Sequence, residues 1–396
     1  MKFNQSIKLF LSLFLFNKST SGKLCSLSSK EKYMNPSIYD IAGDYKKPLE
    51  FMSEQSLAYW YTDRGSDMNG AKSSLQSFVS GCQGESPVIV VYGMPNKDCD
   101  AGESAGGFNS DSSTYKQFIN NLKEVASDNS IIILEPDATA LTIDGSMCGL
   151  SKGYKENLKM AIDELSNKNV YLDVGHWVVI YGMDKIKKLT DFVLSIDSNK
   201  KLKGFSLNLS NYRKTEEMER ACKDIISASG KDYKCIIDTS RNNNGPSSAG
   251  TWCNYKNAGI GISENDPGIS SKKSSVVDHY VWIKPAIELD GNCYGNPESY
   301  QSNKGAGAID LEWFKILWDN GYYKNTDISI ITNSISDNNN VPSPTHSLNN
   351  NAPNPTHSPS IVITPSPAYS PSHSQKNTET ISPTFKINRV CRLNSN

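Results

Sequence analysis

Six short apolar runs recur along the chain: VIVVY (88–92), IIIL (131–134), VYLDV (170–174), GFSLNL (204–209), CIID (235–238) and YVWIK (280–284). Their nearly unbroken apolar character is that of strands buried on both faces of a parallel sheet. Segments between them, such as 112–127, 152–167 and 214–229, space apolar residues three and four apart and leave the other face polar, which predicts amphipathic helices. Strand and helix alternating about every 25 to 45 residues predict an α/β fold, with a parallel barrel preferred over an open sheet. No internal repeat is evident.

The run IIILEPDATALT (131–142) raises a question: four apolar residues lead straight into Glu135, Pro136 and Asp137. Asp and Pro suit a strand end that starts the next helix, so capping is one reading. The other is an acid projected from the carboxyl end of a parallel strand, where α/β proteins carry their chemistry. The remaining runs favour the second. Asp98, Asp137, Asp173 with His176, Asn208 with Asn211, Asp238 with Arg241, and Glu288 with Asp290 all stand at or just past a predicted strand end. In a barrel those ends meet on one rim.

Composition narrows the chemistry. With 37 % hydrophobic and 21 % charged residues, the 396-residue chain has ordinary globular content, enough for one large domain or two smaller ones. Lys plus Arg number 41 against 42 Asp plus Glu, so no basic excess points to nucleic acid or an anionic membrane, and a neutral partner is expected. Residues 1–22 carry Lys2 and Lys8 ahead of an apolar run, Leu9 to Phe16, too short to span a bilayer, in the outline of a secretory signal. Nine cysteines then favour disulfides in a secreted, extracellular chain, with at least one left over. No C-x-x-C pair or Cys/His cluster suggests a metal, and the GAGA run at 305–308 lacks the context of a dinucleotide site, so no metal or cofactor is expected. Only His176 and His279 lie outside a tail that begins near residue 333, rich in Asn, Ser, Thr and Pro. That tail, 333–396, reads as a disordered spacer, which leaves 23–332 as the folded domain.

A rim rich in carboxylates, with Trp60, Trp177 and Trp252 as potential sugar-stacking faces, suggests glycoside hydrolysis, which sets two carboxyls across the scissile bond. The series VVYGMPNKDC, ILEPDATALT, YLDVGH, LNLSNY, IIDTSRN, TWCN and WIKPAIELDG resembles, in order and spacing, the motifs of glycoside hydrolase family 6, over about residues 40 to 325. That resemblance implies a distorted parallel β/α barrel of about seven strands. It also implies inverting cleavage of β-1,4-glucan at a cleft across the strand ends.

Carried over by position, Asp137 matches the general acid, Asp98 the aspartate that supports it and relays a proton from water, and Asp290 the candidate base, a role disputed in the family. Tyr92 matches a tyrosine crowding the cleavage point, and Ser104 a mobile-loop serine that helps hold water. Asp173, His176, Asn211, Trp252, Lys284 and Glu288 match positions lining the sugar subsites, and Arg241 an arginine pairing with rim carboxylates. The resemblance also implies disulfides Cys99–Cys148 and Cys253–Cys293. Cys222 and Cys235 are close enough to pair, while Cys25, Cys82 and Cys391 find no match. Val179 stands where the family carries a product-side aromatic, with Trp177 as a substitute, and Gly93, Asn96 and Lys97 replace charged family positions. The expectation is a secreted, monomeric β-1,4-glucanase with a glucan partner. The alternatives are a wall-binding protein without turnover and a hydrolase of another β-glucan.

Overall fold

Alternate residues of the apolar runs face two different cores, one enclosed by the curled sheet and one shared with the surrounding helices. In the computed structural model, which describes residues 22–145, 147–270 and 274–328, seven parallel strands follow chain order. They are β1 Tyr59–Thr62, β2 Val88–Tyr92, β3 Ile131–Leu134, β4 Asn169–Asp173, β5 Gly204–Leu207, β6 Lys234–Asp238 and β7 Val277–Val281. Val88, Val90, Ile131, Ile133, Tyr171, Ile236 and Val281 pack together in the interior. Ile89, Val91, Ile132, Leu134, Leu172, Phe205 and Leu207 face outward into a second core with the surrounding helices. Residues 1–21 of the expected signal, the tail 333–396 and Cys391 lie outside the described residues.

Helices Met68–Gly81, Ser112–Val125, Tyr154–Glu164, Met183–Ile196 and Thr215–Ser229 return the chain between successive strands up to β6. Each buries an apolar stripe against the outer face. Their ends follow local chemistry: the Asp111 carboxylate accepts from the Ser113 and Thr114 amides, and Gly230 (φ 62°) stops the helix that ends at Ser229.

The run read as a strand over 280–284 is displaced, because β7 ends at Val281. Beyond it the Ile283 and Lys284 amides donate to the Asp238 carboxylate, both at 3.2 Å, so a side chain at the end of β6 replaces the next rungs of the ladder. β1 is absent from the six runs because its LAYWYT context mixes aromatic and polar residues.

The barrel closes through little more than one bridge, Leu57 to Trp282, with the Ala58 amide donating to the Trp282 carbonyl at 3.0 Å. Above it the Trp60 indole N–H donates to the Ile283 carbonyl (2.9 Å) in place of strand pairing. Residues 22–33 fill the seam. Leu24 enters the interior core, Ser28 Oγ donates to the Ala58 carbonyl, and the Tyr33 hydroxyl accepts from the Ala286 amide. Cys25 is bonded to Cys82, which staples this segment to the end of the first crossover helix. The bonds Cys99–Cys148, Cys222–Cys235 and Cys253–Cys293 are present as well.

Candidate active site

Inward-facing positions change character at the carboxyl ends of the strands: above the aliphatic layers stand Trp60, Tyr92, Asp173 and Asp238. The turns that follow are strained. Asn96 and Asp98 after β2, Glu135 and Asp137 after β3, and Asn208 and Ser210 after β5 all have φ between 55° and 67°, except Glu135 at 47°. Such left-handed non-glycine residues cost about 1–3 kcal/mol each and collect at functional sites.

Glu135 explains how the E-P-D turn is held. Its carboxylate is fully buried and accepts from the Gly93 and Met94 amides (3.1–3.3 Å) and the Tyr115 hydroxyl (2.9 Å). It therefore locks the end of β2 to the end of β3. Two residues on, the Asp137 amide donates to Asp173 Oδ1 at 3.0 Å, leaving the Asp137 side chain aimed into the cleft. Burial, with the Asp98 carboxylate nearby, pushes the Asp137 pKa up to about 7. Asp98 is held by the Ser104 amide at 2.6 Å.

The cleft, about 760 Å³, runs across the rim. Asp98, Ser104, Tyr92 and Asp137 form its centre; His176, Trp177 and Asn211 line the side of β4 and β5; Lys284, Glu288, Asp290 and the exposed Trp252 line the side of β7. Tyr92 meets Trp60 edge to face, with centroids 5.8 Å apart. Burial, then Arg213, lowers the His176 pKa to about 4, so its ring is neutral at ordinary pH. Val179 is buried, whereas Trp177 next to His176 reaches the cleft.

Two of the sequence-derived candidates lie beneath this surface rather than on it. Asp173 is buried, and its Oδ1 also accepts from the Gly175 amide (3.2 Å), so it supports the backbone of the acid. Arg241 is fully buried and places Nη1 2.9–3.0 Å from both oxygens of Asp290. Asp290 further accepts from the Tyr212 hydroxyl (3.1 Å) and the Asn254 amide (3.0 Å). Burial alone would raise its pKa, but Arg241, Lys284 and these donors outweigh burial and lower it. A carboxylate so engaged is a weak base.

The loop carrying Ser104 is fixed at its far end by a buried ion pair. Lys97 Nζ lies 2.5 Å from Asp63 Oδ1 and also donates to the Gly106 carbonyl, while Asp63 Oδ2 accepts from the Asn109 amide (3.1 Å). Gly107 (φ 141°) is required there, because a β-carbon would fall 2.0 Å from Asp63 Oδ2. At the cleft, the same loop lays Glu103 against Gly291, where a β-carbon would stand 2.7 Å from Glu103 Oε2. The loops after β2 and β7 thus meet.

Sequence reasoning missed Lys32, Thr62, Arg64 and Glu103, all of which line the cleft. For β1 a signal existed: Ala58, Trp60 and Thr62 alternate on one face of LAYWYT. For Lys32 none did, since helix Leu27–Tyr33 reaches the rim only through the seam.

A carboxyl with a raised pKa beside a second carboxylate, at the carboxyl ends of a parallel barrel, suits an enzyme that protonates a leaving group. The sequence profile of Glycosyl hydrolases family 6 matches residues 27–320, and the chain belongs to that family. It is 32 % identical over 266 residues to Endoglucanase A of Cellulomonas fimi, covering 66 % of this chain and 55 % of that protein. It is 31 % identical over 249 residues to Endoglucanase-6B of Humicola insolens, covering 53 % and 70 %. The chain spans about half the length of the first two curated relatives it matches. Among solved structures it resembles a family 6 enzyme of Orpinomyces sp. Y102 (TM-score 0.63, 25 % identity, 76 % of this chain and 97 % of that one). The catalytic core of the Chaetomium thermophilum cellobiohydrolase Cel6A gives a TM-score of 0.65 at 21 % identity, over 76 % and 98 %, which speaks for the fold.

Proposed function

We propose that this protein is a secreted, monomeric hydrolase of β-1,4-glucosidic bonds in cellulose and cello-oligosaccharides, acting with inversion. The observation that carries this reading is the Asp137 carboxyl, which lines the cleft beside Asp98 and whose pKa burial and that neighbour push up to about 7. Its relatives named endoglucanase and cellobiohydrolase support the substrate class, and four disulfides support an extracellular site.

Asp137 gives its proton to the glycosidic oxygen as the bond from the anomeric carbon breaks. Water, held by the Ser104 loop, attacks that carbon from the opposite face and loses its proton toward Asp98. Asp290 would have to break its ion pair with Arg241 to take that proton, so it serves better as a fixed negative charge facing the developing cation. Tyr92 crowds the sugar between the acid and Trp60.

Release of reducing ends from cellopentaose by wild type and by Asp137→Ala tests the reading. The variant is expected to fold, bind and turn over roughly 10²–10⁴-fold more slowly. Near-normal turnover by it would remove Asp137 as the acid.

A further inference from the structure

Lys32 lies well before the first of the seven motifs, near the start of the profile match, yet its ammonium stands in the cleft. Helix Leu27–Tyr33 is seated between β1 and β7 by Ser28 on one side and Tyr33 on the other, and Lys32 Nζ lies 2.5 Å from Glu288 Oε1. Across Glu288, Lys284 Nζ lies 3.9 Å from Oε2 and equally far from Asp290 Oδ1. The result is a row of ammonium, carboxylate, ammonium and carboxylate along the cleft wall that faces His176 and Trp177 across the barrel, beside Trp60. Lys284 is buried and spends a further donor on the Leu289 carbonyl (3.0 Å), whereas Lys32 remains 36 % exposed at its side chain. An ammonium has three N–H donors, and Glu288 takes one.

We propose that Lys32 is a substrate-contacting residue, delivered to the cleft by the N-terminal segment that stands where a closing strand is missing, and held there by Cys25–Cys82. Its free N–H groups donate to hydroxyl oxygens of a glucose unit stacked near Trp60, while Glu288, oriented by Lys32, accepts from the neighbouring hydroxyl. Equatorial hydroxyls of a glucan present that alternation of acceptor and donor along the ring edge. The seam segment is therefore part of the substrate site, and the Cys25–Cys82 bond, remote from the chemistry, serves binding.

This rests on the hydrolase reading above, and the test separates the two. Initial rates on cellohexaose are measured for wild type, Lys32→Met, Lys32→Arg and the double variant Cys25→Ser, Cys82→Ser, each with its Tm. The expected result for Lys32→Met is a KM raised about tenfold, the worth of one charge-assisted hydrogen bond, with kcat changed less than about twofold and Tm unchanged. Lys32→Arg recovers most of the KM. The double cysteine variant, where it folds, shows the same rise in KM at a lower Tm. An unchanged KM for Lys32→Met with active wild type overturns the proposal while leaving the hydrolase reading intact. A fall in kcat and Tm without a KM effect also overturns it, since that is what a purely structural lysine would give. If wild type itself does not cleave cellohexaose, the hydrolase reading fails and this proposal falls with it.

Discussion

The environment of Asp137 bears on both the proposed activity and the stability of the fold. With Asp137 as the proposed acid, turnover requires its protonated form, so kcat is expected to hold at mildly acid pH and fall about tenfold per unit above about pH 7. The lowered pKa of Asp290 keeps that group ionised below the usual carboxylate range, so it sets no limit at mildly acid pH. The same shift has a consequence for folding. A carboxyl whose folded pKa lies above its unfolded value of about 3.9 favours the native state fully below that value and loses the advantage as pH rises toward 7. Asp137→Asn is therefore expected to leave stability unchanged at pH 4 and raise it by about 1–3 kcal/mol at pH 8, measured by urea unfolding at both. Equal effects at the two pH values would mean that the acid is not held out of water. The sequence placed Asp137 at the end of an apolar strand, and the proposed acid role came from the family resemblance of the EPD motif. Its left-handed φ and the clamp by Glu135 were not legible there, since both depend on the Gly93 and Met94 amides some 40 residues away.

At the scale of elements, loops on a rigid barrel carry the site, and buried charges fix the loops. Lys97 and Asp63 are nearly inaccessible, 3 % and 1 % exposed at the side chain. Removing one partner leaves the other charge buried, so Lys97→Met is expected to destabilise the protein by about 3–5 kcal/mol and to lower kcat by loosening the Ser104 loop. Urea unfolding and steady-state kinetics check both, and a change under about 1 kcal/mol would mean the pair is solvated. The runs that form β2, β3, β4, β5 and β6 were readable because nearly all their positions are buried and most are apolar. β1 was not, because its inward positions carry Trp60 and Thr62 into the cleft. Asp173 and Arg241 matched subsite positions, but motif order cannot show depth. Only the packing reveals that they brace Asp137 and Asp290 from below.

The described residues form a barrel completed by a segment rather than a strand, and four disulfides among them staple it, with chain separations from 13 to 57 residues. By the chain-entropy account each bond is worth about 2–4 kcal/mol, so reduction is expected to lower the Tm by well over 10 °C. Thermal unfolding with and without reductant measures this, and an unchanged Tm would mean the bonds do not constrain the unfolded chain. Helix Leu311–Asp319 buries Trp313, Phe314 and Leu317 in a separate core with Leu57, Trp282 and Ile287. Truncation after residue 332 is accordingly expected to leave hydrolysis of soluble oligosaccharides unchanged, and a loss of activity would make the tail part of the fold.

The proposed inverting hydrolysis of β-1,4-glucan with Asp137 as the acid is tested by following cellohexaose cleavage by proton NMR from the first minutes. New reducing ends are expected to appear first as the α-anomer and then to mutarotate. First appearance as the β-anomer, or binding of cellohexaose without turnover, would contradict it.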